Sequence, residues 1–136
     1  MKSIIVLAMV LVLGACSSSS SDSKGGDGKV QTAEAKEFDA VAKGSWASGC
    51  MANEQGVNYR EIITIKGVGK ASFVYNVYPD AQCGGEPQAQ GAQELNYTVV
   101  RYANGAGELK INDKAVAFSF QNGILTVGQV TFTRIN

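Results

Sequence analysis

From Lys43 onward the chain alternates apolar and polar positions with a period of two. Between Ser72 and Tyr78, Phe73, Tyr75 and Val77 fall on one side, and Ser72, Val74, Asn76 and Tyr78 on the other. Leu95, Tyr97 and Val99 repeat the pattern, as do Val116, Phe118 and Phe120, and then Val130 and Phe132. Strict alternation of this kind marks half-buried strand rather than helix. Turn signals interrupt it at short intervals: Gly67-Val68-Gly69, Asn104-Gly105-Ala106-Gly107, Asn112-Asp113, Asn122-Gly123 and Gly128-Gln129. Asn-Gly between alternating runs is the strongest short-range hairpin signal. The pattern predicts eight strands, at about 44–50, 58–66, 70–78, 93–102, 107–111, 114–120, 123–127 and 129–135. Short links between successive strands make an antiparallel meander. Eight such strands close into an up-and-down barrel that removes its own edges. The expected fold is therefore all-β, a small eight-stranded antiparallel barrel. The stretch from Pro79 to Gly91, which holds both prolines, reads as a loop.

The chain ahead of the strands has a different character. Residues 32–42 fit a short helix, with Thr32 as its cap and Phe38, Val41 and Ala42 on one face. Residues 17–29 offer no apolar side chain to bury and read as a flexible Ser/Gly tether. Before them, Lys2 precedes an apolar run from Ile4 to Leu13, followed by Leu13-Gly14-Ala15-Cys16. Ten apolar residues fall short of the ~20 that a spanning helix needs. A charged start, an apolar middle and small residues before a cut are the parts of a secretory signal. With a cysteine directly after them, they resemble the lipobox of bacterial lipoproteins. The resemblance implies cleavage before Cys16, lipidation of its sulfur and acylation of the new amino terminus. Two or more acyl chains hold a protein stably on a membrane where one does not. Ser17, rather than Asp, after the cysteine is similar to outer-membrane lipoproteins and implies that address. The expected organisation is signal peptide 1–15, then lipid site, tether and short helix over 16–42, then barrel over 43–136.

Composition narrows the function. Taking fifteen residues from 136 leaves 121, enough for one domain, and losing Lys2 moves the net charge from zero to −1. That balance, without a basic patch, gives no reason to expect nucleic acid. The absence of histidine removes the commonest general base and the commonest metal ligand. Glu54, Glu61, Asp80, Glu86, Glu94, Glu108 and Asp113 are scattered, without metal-site spacing. Ser48 and Thr64 have no visible activating base. Gly67-Val68-Gly69-Lys70-Ala71-Ser72 lacks phosphate-loop spacing and links two strands, so it reads as a hairpin turn. These features argue against an enzyme and call for no cofactor.

With Cys16 assigned to lipid, Cys50 and Cys83 remain. Export places them in an oxidising compartment, where a disulfide is expected; the alternative is two buried thiols. In an up-and-down meander the first and third strands finish at the same end of the barrel, so both cysteines lie there.

Gly44-Ser45-Trp46 opens the first strand and Arg134 sits in the last. In this the domain resembles the calycins, the lipocalin-like barrels, which carry Gly-x-Trp early and an Arg late. The resemblance implies that Arg134 packs on Trp46 at a closed end. It also implies a small apolar or lipid-like ligand as the default partner. Tyr59, Phe73, Tyr75, Tyr97, Phe118, Phe120 and Phe132 are the inward aromatics. They either line a pocket, with contacts at the open end, or fill the barrel, and short strands with many large rings favour filling. The competing expectation is a protein-binding module, such as an envelope inhibitor or accessory subunit. It would use the loops Met51–Asn58 and Pro79–Gly91, tied by Cys50 and Cys83. Membrane attachment through the anchor is common to both. Oligomeric state is not readable.

Overall fold

The structure, a computed structural model, describes residues 31–135. Cys16, the signal segment and the tether lie outside the described residues. Helix α1, Ala33–Ala42, is ten residues long, a length marginal alone in water. Thr32 caps it by accepting a bond from the Ala35 N–H at 3.1 Å. What holds it is tertiary packing. Phe38 and Ala42 are buried, and the Phe38 ring sits edge-on to Tyr97, Tyr102 and Phe118.

The strands are β1 (Gly44–Ser48), β2 (Met51–Ala52), β3 (Asn58–Gly67), β4 (Lys70–Tyr78), β5 (Ala89–Ala103), β6 (Ala106–Ile111), β7 (Lys114–Gln121), β8 (Ile124–Val127) and β9 (Val130–Ile135). Every pairing is antiparallel, and successive strands are neighbours from β2 through to β9. Pairing of β1 with both β9 and β3 closes the sheet into an eight-stranded barrel. β2 continues β1 along β3 after a one-residue change of register. At that break the Ser48 hydroxyl accepts the Glu61 N–H at 2.9 Å, replacing a ladder carbonyl. The predicted turns hold their places, with positive φ at Asn104-Gly105, Asn112-Asp113 and Asn122-Gly123. The main difference is β5, which begins at Ala89 rather than near residue 93, so the loop before it spans 79–88. Residues 89–93 lack apolar alternation. Their strand conformation comes from pairing with β4, in register from Val77↔Ala89 to Phe73↔Gln93.

The barrel has two unlike ends. At the lid end lie α1 and the turns after β3, β5 and β7. At the loop end lie residues 49–57, residues 79–88 and the turns after β6 and β8. Cys50 and Cys83 are bonded at the loop end, with Cα atoms 5.5 Å apart. Asp39 fastens the lid. Its carboxylate accepts the Tyr97 hydroxyl at 2.5 Å, the Val68 N–H at 2.8 Å and the Gln31 amide at 2.6 Å. Burial first, and that bond second, push the Tyr97 phenol well above its ordinary pKa.

Trp46 and Arg134 are directly opposed on β1 and β9, and the guanidinium carbon lies 4.3 Å from the indole centroid. Arg134 also donates to the carbonyls of Val41 at 2.7 Å and Lys43 at 2.9 Å. The Trp46 indole donates to Ala42 at 2.7 Å. Three carbonyls at the end of α1, which the helix itself leaves without partners, are thereby satisfied by two side chains. A cation there also suits the helix dipole. Gly44, at φ +129°, leaves room for this: a Cβ would stand 2.8 Å from an Arg134 terminal nitrogen.

Candidate functional site at the loop end

Interior volume decides whether a ligand fits inside the barrel, apart from an open cleft of about 440 Å³ beside α1 lined by Glu34, Arg101, Tyr102 and Phe118 among others. The void inside the barrel is about 30 Å³, lined by Phe38, Ile63, Ile65, Leu95, Tyr97 and Leu109 among others. That is water-sized space in apolar surroundings, far below the several hundred Å³ of a small-molecule pocket. Phe38 takes up the rest. Tyr97 and Phe118 pack against it, Phe120 meets Trp46 edge-on at 5.6 Å, and Phe132 is buried. Of the inward aromatics, these four therefore do not lie at an open mouth where a ligand would touch them. Tyr97 and Phe118 are held by Phe38 of α1, and Phe120 by Trp46, so these rings serve the packing of the lid end.

Tyr59, Phe73 and Tyr75 do lie toward the loop end, each half-buried. Alternation from the core residues Ile65 and Ala71 puts Ile63, Glu61 and Tyr59 of β3, and Phe73 and Tyr75 of β4, on the inward face. The Tyr59 and Tyr75 rings stack at 4.8 Å with 26° between their planes. Glu61 stands directly opposite Tyr75, where facing Cβ atoms are about 5 Å apart. Across β4, Gln93 opposes Phe73 and Gly91 opposes Tyr75. The Gln93 Oε1 is buried with no hydrogen-bond partner.

Burial raises the Glu61 carboxyl above its ordinary pKa. Burial, and then the Glu61 charge, raise Tyr59. Tyr75 is raised by burial, by Tyr59 and by Glu61. Among the described residues no Lys or Arg lies within ion-pair distance of Glu61. A carboxyl whose folded pKa is raised holds its proton more tightly folded than unfolded. Its contribution to stability is therefore lost as pH rises from the ordinary value of 4.5 through the raised one. Glu61→Gln is expected to melt above the native protein at pH 7 and to lose that advantage below pH 4.5. Thermal melts at the two pH values check this, and equal advantages would contradict it.

Glu61 and Gln93 are not among the ligand contacts the sequence points to. Their signal is positional: each is a polar residue in the inward register of its strand, two places from Ile63 and Leu95. The opposite face of this sheet is polar too. Arg60 lies 5.9 Å over the Tyr78 ring, and Asn76 and Cys83 are buried. Ser48 spends its hydroxyl on the Glu61 N–H and the Gly49 carbonyl, and Thr64 pairs with Ser45 at 2.9 Å. Neither meets a base. Among the described residues no group of acidic or sulfur side chains is placed to hold a metal ion. No helix among them is long and apolar enough to cross a membrane.

Compared with known proteins, the chain matches no family model, no curated protein and no solved structure.

Proposed function

We propose that this chain is a lipid-anchored, non-catalytic binding protein of the bacterial outer membrane, and that it recognises a protein partner with the loop end of its barrel. The single observation that carries the choice of surface is the 30 Å³ interior, which has no room for a lipid-like ligand. A small apolar ligand inside the barrel, implied by the calycin resemblance, needs α1 to leave. Instead α1 is fastened at both sides by Asp39, Arg134 and Trp46. The lipobox and the serine tract supply the anchor. The described residues begin just before α1 at the lid end, so the chain leading from Cys16 enters the domain at the end opposite the loops. The disulfide holds the two loops there in one arrangement, which lowers the entropic cost of recognition.

Photo-crosslinking residues placed singly at Gln55 and Glu86, in the loops, and at Val68, in a lid-end turn, test this in living cells. Discrete adducts with one envelope protein are expected from the two loop positions and not from Val68. Adducts of equal strength from all three would overturn the surface. A lipid co-purifying at one per chain in native mass spectrometry would return the interior to first place.

A further inference from the structure

We infer that the loop-end site around Tyr59, Glu61 and Tyr75 receives a basic side chain, lysine or arginine, from the protein partner. The inference rests on the reading of the loop end as the binding surface and names the chemistry it selects.

The inward face there offers a carboxylate and an amide oxygen as acceptors beside two π-faces, and among the described residues no Lys or Arg lies within ion-pair distance of Glu61. The Glu61 carboxylate is half-buried without a cation beside it. Gln93 Oε1 is buried and unmatched. An unpaired acceptor removed from water costs free energy that an arriving donor recovers. The Ser48 hydroxyl, which accepts the Glu61 N–H, donates to the Gly49 carbonyl. Two stacked tyrosine rings leave their outer faces for a cation, which the ring quadrupole attracts. An anion meets repulsion from Glu61, and a neutral apolar group leaves both acceptors unmatched. A cation with N–H donors answers the carboxylate, the amide oxygen and the ring faces together.

The source is a polypeptide because of what borders the site. β5 pairs with β4 through Ala89–Asn96 on one side, while β6 joins its other side only from Tyr97 onward. The first eight residues of β5 are thus an open sheet edge. The Tyr97 N–H bonds to the Gly69 carbonyl, so by alternation Gln90, Ala92 and Glu94 direct their backbone groups to the open side. Such an edge accepts an extended segment of another chain. At Gly91, opposite Tyr75, a Cβ would meet nothing within 4 Å. A segment lying on this edge therefore has a clear path for one long side chain toward the tyrosines.

The test uses the full chain purified in neutral detergent and three probes: the peptide acetyl-Thr-Val-Lys-Val-Thr-amide, the same peptide with norleucine for lysine, and butylamine. The lysine peptide is expected to bind about tenfold tighter than the norleucine peptide, in line with one charge-assisted contact. E61Q, and separately Y75A, are expected to remove that difference between the two peptides. E61Q keeps the side-chain shape, and its melting curve reports whether it is folded. Equal binding of the two peptides, or an undiminished lysine preference in E61Q, overturns the inference. Butylamine binding as tightly as the lysine peptide overturns the protein source in favour of a free amine. If crosslinks from Gln55 and Glu86 persist in E61Q at full strength, the loop-end reading stands and this inference alone fails.

Discussion

Trp46→Ala is expected to cost roughly 4 kcal/mol and to lower the melting temperature on the order of 20 °C. The side chain is fully buried, so its loss opens a cavity in the middle of the closing strand pair. Three further contacts go with it: the indole bond to the Ala42 carbonyl, the face beneath Arg134 and the edge against Phe120. Loss of the first two loosens α1 from the barrel as well as β1 from β9. Trp46→Phe separates the contributions, since it keeps most of the apolar volume and loses the indole donor. It is expected to retain more than half of the lost stability. Thermal melts of both variants check this, and a Trp46→Ala melt within a few degrees of the native protein would contradict the account of closure.

Removing the disulfide by replacing both Cys50 and Cys83 with alanine is expected to lower stability by roughly 3–4 kcal/mol, from the entropy of a loop closed across a sequence separation of 33. For a domain of this size that is a large part of the total. The effect divides by place. Cys50 follows β1 at the register break, and Cys83 lies in the loop between β4 and β5, so the bond ties the first part of the barrel to the third. Its loss frees the loop end first, while the lid end retains Asp39, Arg134 and Trp46. Hydrogen exchange is therefore expected to quicken in 49–57 and 79–88 more than in α1. Denaturant melts give the magnitude, and an unchanged midpoint would sink the structural role of the bond.

These two changes act on stability, whereas Glu61 acts against it at neutral pH. A sequence shaped only for folding has no use for an inward carboxylate without a partner beside two tyrosines. Buried, unmatched polar groups concentrate where a protein binds something. The expected gain in melting temperature of Glu61→Gln and its expected loss of lysine-peptide binding are two consequences of one placement.

Much of the barrel was legible before any coordinates. Period-two alternation and the Asn-Gly, Asn-Asp and Gly-Gln turns located the strands, because side-chain direction in a strand and positive φ in a tight hairpin are local properties. Strand parity in a meander puts both cysteines at one end of the barrel, and helix periodicity gives Thr32 with Phe38 and Ala42. The start of β5 was not legible, because Ala89-Gln90-Gly91-Ala92 has no strand preference and takes its form from β4. Nor was the site. Tyr59 and Tyr75 belong to an inward aromatic set of which Tyr97, Phe118, Phe120 and Phe132 are packing.

The sequence by itself determined the eight-stranded barrel, the turns, the antiparallel order and the end at which both cysteines lie. Each of these depends on residues close in the chain or on parity alone. Only the tertiary structure decided that α1 folds over one end, that Phe38 fills the interior, and that Glu61 faces the stacked tyrosines. Those outcomes depend on which side chains share a volume across tens of residues, as Asp39 does with Val68 and Tyr97. No local pattern encodes a shared volume, and so whether the barrel is hollow or solid was open until its end was seen to be occupied.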